Sequence, residues 1–300
     1  MNSEQIGTSF ILVGLIIYGV HPVVVEVGGL YLAPLFFASV TTTFAGLAVT
    51  PVALRSRKAQ STGARRTDYL RLVFTGVFGT FLAFTCLFLG LQLTSSNNAA
   101  VILRSELAFA LLFGYLFLHE AISPRQAAVM LLMVCGVLLV VLTTQTIVLG
   151  LGDLLLLVTP AAWAAGHTFA KPTLTRVSPW VVVAFRNLVG GGLLLSVTFW
   201  LVLPNNPLIL TSNIPLVIGI VFVETIVILL AHNLWYLGIR RINLGKATAL
   251  IAPAPLVTFL LSTLILRIAP TLWQIAGATL VIIATLLLSR EPSLQRLEKV

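Results

Sequence analysis

Apolar runs of about 20 residues follow one another along the whole chain, and each is long enough to cross the hydrocarbon core of a bilayer. Of the 300 residues, 58% are apolar and 9% are charged, whereas soluble domains average about 25% charged residues. This composition excludes a soluble enzyme, a nucleic-acid-binding domain and a disordered chain. Because open strands in lipid leave backbone groups unpaired, and the runs lack barrel-type alternation, the predicted fold is an all-α integral membrane protein.

Reading the runs between polar, Gly and Pro residues predicts ten transmembrane helices. The first run lacks a small-residue cleavage site after it and is interpreted as an uncleaved span. The predicted spans are Ile6–Val25, Leu32–Leu54, Leu70–Leu91, Ala99–Leu118, Pro124–Leu142, Leu151–Ala170, Pro179–Leu203, Ile214–Leu237, Ala247–Leu266 and Thr271–Leu288.

The placement of the cations predicts the direction of these spans. Of 18 Lys and Arg residues, Arg104 and Arg186 lie within spans, and 15 face one side if the N-terminus is cytoplasmic. Only Arg267 then lies outside. Cytoplasmic loops carry an excess of Lys and Arg, so we expect a multi-pass cell-membrane protein with both termini in the cytoplasm.

The second half of the chain resembles the first, which indicates an internal repeat. Each half holds five spans, an odd number, so the halves enter the membrane from opposite sides. Transporters with such inverted repeats bind substrate near the bilayer midplane. The predicted domains are residues 1–143 and 150–290, followed by a cytoplasmic tail, 291–300. An offset of 148 pairs Gly90 with Gly238, Ala99 with Ala247 and Gln126 with Gln274, and an offset of 145 pairs Tyr18 with Trp163, Pro34 with Pro179 and Gly46 with Gly191.

Three short motifs accompany the repeat. They are Glu120, Ser123 and Gln126 past the fourth span, Ser178, Pro179 and Arg186 around the seventh, and Pro253 and Pro255 in the ninth. With these motifs the chain resembles the EamA-type branch of the drug/metabolite transporter superfamily. The resemblance implies a bundle of two inverted five-helix halves that exports small metabolites, amino acids or drugs, and structural roles for the motif residues. The fourth span departs from the family pattern, because Leu107 stands where a proline is common.

Ionisable side chains inside the spans are candidate functional residues, because each costs about 2.5–3.5 kcal/mol on insertion scales. Arg104 and Glu106 are about 200° apart around a helix, so we expect them not to face the same cavity. One of them would bind substrate or a proton, or else both are neutralised by neighbouring helices. Glu224 and His232 lie on one broad face of the eighth span and are candidates for a coupling proton. The alternative is a static pair of Glu224 with Arg186 or Arg104.

Aromatic and histidine side chains supply further candidates. Trp163 and His167 form one stripe of the sixth span, where Trp163 is too deep for an interfacial belt and is expected to line a cavity, as is its repeat partner Tyr18. For His167, substrate contact and helix packing both remain open. Trp235 and Tyr236 are predicted to anchor the chain at an interface.

Three further groups of polar residues have structural interpretations. Arg186 lies about two turns inside its span, which predicts snorkelling or a structural pair. The span asparagines are expected to form hydrogen bonds between helices. Pro253 and Pro255 free backbone carbonyls, which indicates either a bend beside a cavity or a kink satisfied by neighbouring helices.

The sequence lacks a P-loop, a second zinc-protease histidine, a hydrolase elbow and a channel filter. No cofactor or metal is predicted. The predicted function is a secondary active transporter that exports a small metabolite, such as an amino acid, by alternating access, driven by a proton gradient or by the substrate's own gradient. The alternatives are a nucleotide-sugar or phosphorylated-metabolite antiporter, an enzyme acting on lipid-linked substrate, and a passive channel.

Overall fold

The computed structural model describes residues 2–58, 64–118, 123–141, 150–204, 207–209, 211–242 and 244–289, and the regular structure of these residues is helical. The helices are α1 Ser3–Gly29, α2 Pro34–Lys58, α3 Arg66–Gly90, α4 Ser96–Ile102, α5 Glu106–Leu118, α6 Pro124–Val141, α7 Leu151–Ala170, α8 Pro179–Val202, α9 Ile214–Ile239, α10 Leu244–Ile251, α11 Ala254–Leu261 and α12 Leu272–Ser289.

Five of the described helices, α1, α2, α3, α8 and α9, are long and apolar enough to cross a membrane. Shorter apolar helices lie within residues 127–140, 254–266 and 272–287. The prediction of an all-helical membrane protein is therefore confirmed.

Local chemistry explains where several helices begin and break. Asn2 and Gln5 form a reciprocal capping box at the start of α1, which satisfies backbone donors that have no partner in the helix. Ser95 caps α4 through the Asn98 N–H. The predicted ninth span is interrupted between α10 and α11, because Pro253 lacks the N–H that a continuous helix requires.

Two departures from α geometry lie close to the centre of the bundle. A 3-10 turn, Leu103–Ser105, joins α4 to α5, and a π-helical segment, Val77–Leu82, lies within α3. Such segments turn individual backbone and side-chain groups away from the regular helix pattern and are frequent at functional sites.

Helices from the two halves of the chain pack against each other. The main neighbours are α2 with α8, α1 with α9, α3 with α7, and α6 with α12. Glycines allow the close approach: a Cβ on Gly90 would lie 3.0 Å from the Gly152 carbonyl oxygen, and a Cβ on Gly7 would lie 3.3 Å from that of Gly238. The interior is therefore built mostly from contacts between the halves.

Candidate functional site

Two small cavities lie inside the bundle, and Tyr18 and Glu106 line both of them. The cavities have volumes of about 20 Å³ and about 10 Å³. Each therefore has room for about one water molecule. The first cavity is also lined by Leu103, Arg104, Leu107, Trp235, Thr248, Ile251, Ala252 and Thr285, and the second by His21, Phe84, Trp163, His167, Arg186, Ile228, Ala231 and His232.

His167 connects several side chains of the site. The Trp235 indole N–H donates to His167 Nδ1 over 3.2 Å, and the Tyr236 hydroxyl lies 3.3 Å from the same nitrogen. Because an indole nitrogen only donates, Nδ1 accepts, and the proton of the neutral ring is on Nε2. That nitrogen lies 3.3 Å from Glu106 Oε1, so the ring links Glu106 to the aromatic pair.

Arg186 is anchored by neutral acceptors. Its Nε donates to the Thr80 hydroxyl over 2.9 Å, its Nη1 donates to the Tyr236 hydroxyl over 3.2 Å, and its Nη2 donates to the Gly79 carbonyl. Thr80 and Gly79 belong to the π-helical segment of α3. The arginine is 1% exposed, so of the two interpretations, snorkelling does not apply, and the side chain is a buried cross-link between α8, α3 and α9.

Glu224 pairs with His21, a residue of α1. His21 Nδ1 lies 2.7 Å from Glu224 Oε1, and the carboxyl side chain is fully buried. The separation is that of a close ion pair, but the angles do not fit a hydrogen bond, and both carboxyl oxygens lack a hydrogen-bond donor. The partners suggested for a static pair of Glu224, Arg186 and Arg104, are not the ones it has, because His21 occupies that position.

His232 faces the second cavity from α9. Its Nδ1 lies 2.8 Å from Asn187 Oδ1, so this nitrogen donates. The Phe84 ring is close to two of the histidines that line this cavity, 5.7 Å from the His21 ring and 5.9 Å from the His232 ring, centre to centre. Glu224 does not line this cavity, but its partner His21 does. The contact of Glu224 with the cavity is therefore indirect, through His21.

Arg104 and Glu106 both line the first cavity, contrary to the expectation that they face different directions. The chain tightens to a 3-10 turn at Leu103–Ser105, where each residue rotates by about 120°. The directions of Arg104 and Glu106 around the helix axis then differ by about 120°, whereas in an α-helix the smaller angle between them would be about 160°. The long arginine side chain bridges the angle that is left. The tightening could not be read from the apolar periodicity.

The remaining predicted site residues have varied positions. Trp163 is 4% exposed and lines the second cavity. Pro253 and Pro255 lie at the break between α10 and α11, next to Ile251 and Ala252 of the first cavity. Pro179 is the first residue of α8. Ser123 lies just before α6, the backbone of Gln126 lies within α6, and Glu120 falls outside the described residues.

Three residues of the site were missed or misassigned. Trp235 and Tyr236 are 2% and 0% exposed, so the prediction that they anchor an interface is wrong, and they pack on His167 and Arg186. His21 was not singled out, although a histidine in the middle of an apolar span carries the same signal as the other embedded polar residues.

Polar contacts close the bundle at both ends. One end holds the amide cluster of Asn97, Asn98, Asp153, Ser262 and Gln274. In it, Gln274 Nε2 donates to Asn98 Oδ1 over 2.6 Å and Ser262 Oγ donates to Asn97 Oδ1 over 2.7 Å. Thr94 joins it by donating to Asp153 Oδ1 over 2.9 Å.

The opposite end holds an ion pair between the halves. Arg176 donates to both carboxylate oxygens of Asp68, over 3.0 Å from Nε and 2.7 Å from Nη2. This hydrogen bonding raises the pKa of the Arg176 guanidinium above its usual range. Beside the pair, Lys246 Nζ lies 2.7 Å from Glu4 Oε1, so α1 and α3 are each bound to the second half at this end.

Comparison with known proteins identifies the family. The model of the EamA-like transporter family matches residues 5–142 and 150–290. The chain belongs to the EamA-like transporter family. This confirms the resemblance inferred from the motifs and identifies the EamA-like protein as a multi-pass membrane transporter.

Relatives of this EamA-like protein are also named as transporters. It is 23% identical to an uncharacterized transporter of Archaeoglobus fulgidus, over 75% of this chain and 79% of that one. It is 25% identical to the uncharacterized transporter YvbV of Bacillus subtilis, over 96% and 93%. A solved crystal structure with 18% identity covers 99% of both chains at a TM-score of 0.70, which shows a shared fold.

Proposed function

We propose that this EamA-like protein is a secondary active transporter that exports a small metabolite, such as an amino acid, by alternating access. The observation that carries the proposal is the buried polar site around Tyr18 and Glu106. Helices from both halves of the chain contribute to it, and charged groups are rarely placed at such depth without a functional reason.

The transporter crosses the membrane ten times as two inverted five-helix repeats. The offsets of the repeat support this: Gly7 corresponds to Gly152 and Gly90 to Gly238, so the close pair Gly7–Gly238 has the pair Gly90–Gly152 as its counterpart. In addition, α1 begins at the end that holds the Asp68–Arg176 pair, whereas α7 begins at the amide cluster. The first helices of the halves therefore run in opposite directions.

We assign the structure to a closed intermediate of the proposed transport cycle. Polar contacts join the halves at both ends, and each cavity holds only about one water molecule. Substrate enters when one set of contacts opens while the other stays closed. The cation-rich end, with both termini, faces the cytoplasm.

The coupling ion is a proton, carried by Glu224 and His21. Their carboxyl and imidazole groups lie 2.7 Å apart in a buried setting that supplies the carboxyl oxygens with no hydrogen-bond donor. Gain or loss of one proton changes the net charge of this pair, which is costly away from water. Such a change is able to favour one conformation of the halves over another.

Flux measurements in proteoliposomes test the function. The purified full chain is reconstituted with a set of labelled amino acids and other metabolites, with and without an imposed pH gradient. We expect saturable flux that the gradient accelerates, and its loss in Glu106→Gln. Glu106→Asp is the matched control, because it keeps a carboxylate in the cavity wall. Absence of saturable flux for every compound would refute the proposal.

A further inference from the structure

Arg104 is a partly buried cation that forms no ion pair within the described part of the chain, although Glu106 lines the same cavity. Its Nε has no hydrogen-bond partner, and its Nη1 lies 3.5 Å from the Ile251 carbonyl oxygen, at the outer limit of a hydrogen bond. That carbonyl is free because its helical donor would be the N–H of Pro255, which proline lacks. Among the described residues, no carboxylate forms an ion pair with Arg104.

The charges that line the two cavities do not balance. Arg104 and Arg186 are the cations, and Glu106 is the carboxylate. His167 accepts at Nδ1 and is neutral in this arrangement. Glu224 and His21 lie 2.7 Å apart, the separation of an ion pair, and as a carboxylate and an imidazolium they cancel, while His232 is counted as neutral. The lining therefore carries one excess positive charge, and an uncompensated charge in a low-dielectric interior is costly.

The two arginines differ in what they offer a ligand. Arg186 uses its Nε and both terminal nitrogens on Thr80, Tyr236 and Gly79. Arg104 has unused donor capacity and lies in the wall of the first cavity, where the Tyr18 and Trp235 rings and apolar side chains are close by. A planar guanidinium with free donors matches a carboxylate in geometry and charge.

Resting on the transport function above, we propose that Arg104 binds the carboxylate of a monoanionic organic substrate whose apolar body contacts Tyr18 and Trp235. The carboxylate displaces the weak contact with the Ile251 carbonyl and balances the excess charge. The body of the substrate occupies space that forms when the helices separate. A phosphate with two negative charges would leave the site with a net negative charge, and a zwitterion would leave the excess positive charge in place. Among the small metabolites proposed above, the inference therefore selects organic monoanions over zwitterionic amino acids.

Binding to the detergent-solubilised full chain tests this proposal apart from transport. The probes are phenylacetate, its uncharged amide phenylacetamide, the zwitterion phenylalanine and phenyl phosphate, and the readouts are calorimetry and tryptophan fluorescence. We expect phenylacetate to bind at least about tenfold more tightly than each of the other three, since one charge-assisted contact is worth about that factor.

Variants of Arg104 supply the second arm. Arg104→Gln is expected to weaken phenylacetate binding by about tenfold or more while leaving phenylacetamide binding unchanged, and Arg104→Lys is expected to lie between. Arg125→Gln is the control, because it removes a cation that bonds to the Leu287 carbonyl at the end of the bundle. A thermal unfolding measurement shows whether Arg104→Gln is folded. If it is not, the binding of the four probes to the parent and to Arg104→Lys tests the carboxylate assignment.

Several outcomes would overturn the proposal. They are no binding of phenylacetate, equal binding of the amide, tighter binding of phenylalanine or phenyl phosphate, and an Arg104 variant that binds phenylacetate as the parent does. Phenylacetate binding that depends on Arg104, without flux in proteoliposomes, would instead refute the transport function. Saturable flux of another solute that is indifferent to Arg104 would refute only the carboxylate assignment.

Discussion

Replacing Gly166 by alanine is expected to separate two helices next to the buried arginine. A Cβ on Gly166 of α7 would lie 2.7 Å from Gly79 Cα and 2.9 Å from Gly79 N in α3. Carbon atoms pack at about 3.5–4.0 Å, and both obstructing atoms are backbone, so the helices must move apart by about 1 Å. Because the Gly79 carbonyl accepts from Arg186, the same movement pulls that bond apart.

The magnitude follows from overpacking of a tight interface. Inserting a methyl group where the surroundings cannot give way costs about 1–3 kcal/mol. At about 2–4 °C per kcal/mol, for chains somewhat shorter than this one, the midpoint of thermal unfolding in detergent should fall by roughly 2–12 °C. Flux should fall as well, because Arg186 loses an acceptor.

Gly192→Ala is the matched control in α8. A Cβ on Gly192 meets no atom within 4 Å, and alanine favours helix over glycine by about 0.5–1 kcal/mol, so this variant should unfold at or slightly above the parent temperature. Equal midpoints for Gly166→Ala and Gly192→Ala would show that α3 and α7 are not held in the close contact described.

Three further predictions concern the proton pair, the ion-pair end and the buried arginine. Glu224→Gln, which cannot exchange a proton, should remove the acceleration of flux by a pH gradient while solute exchange at equal pH persists. If the gradient still accelerates flux in this variant, Glu224 does not carry the coupling proton. Asp68→Asn should weaken the contact between the halves, so that the thiol of Val177→Cys, at the buried position that follows Arg176 in the chain, reacts faster with a water-soluble thiol reagent. The exposed Cys135 is replaced by serine for this measurement, and an unchanged rate would mean that other contacts hold this end closed. Thr80→Val should lower stability by about 1–2 kcal/mol, because it leaves a donor of buried Arg186 unpaired, and a denaturation midpoint equal to that of the parent would contradict this bond.

The membrane character and the family were predictable because each rests on a signal that the chain carries locally. Long apolar runs are costly to expose to water, so they predict membrane spans. The motif prolines and the internal repeat can be recognised directly in the amino-acid sequence. The structure also brought predicted candidates together, since Tyr18, Trp163, His167 and Glu106 line one cavity.

The partners of the buried charges were not predictable. Glu224 pairs with His21, about 200 residues away along the chain, and no local pattern joins them. Trp235 and Tyr236 were judged by depth in the membrane, but whether an aromatic ring faces lipid or the bundle depends on its helix neighbours. The 3-10 turn before Glu106 likewise reflects tertiary packing rather than periodicity.

The two ends of the bundle differ in chemistry, and this difference should distinguish the two half-reactions of the cycle. A full salt bridge joins the halves at one end. At the other end the donors are hydroxyl and carboxamide groups, in two bonds that are neutral on both sides and in one to the Asp153 carboxylate. Dissolved electrolyte shields exposed and partly exposed charges far more than it disturbs neutral hydrogen bonds. Higher ionic strength should therefore speed the opening of the end that holds the Asp68–Arg176 salt bridge and change the opening of the amide-cluster end very little. Salt concentration would then favour opening in one direction.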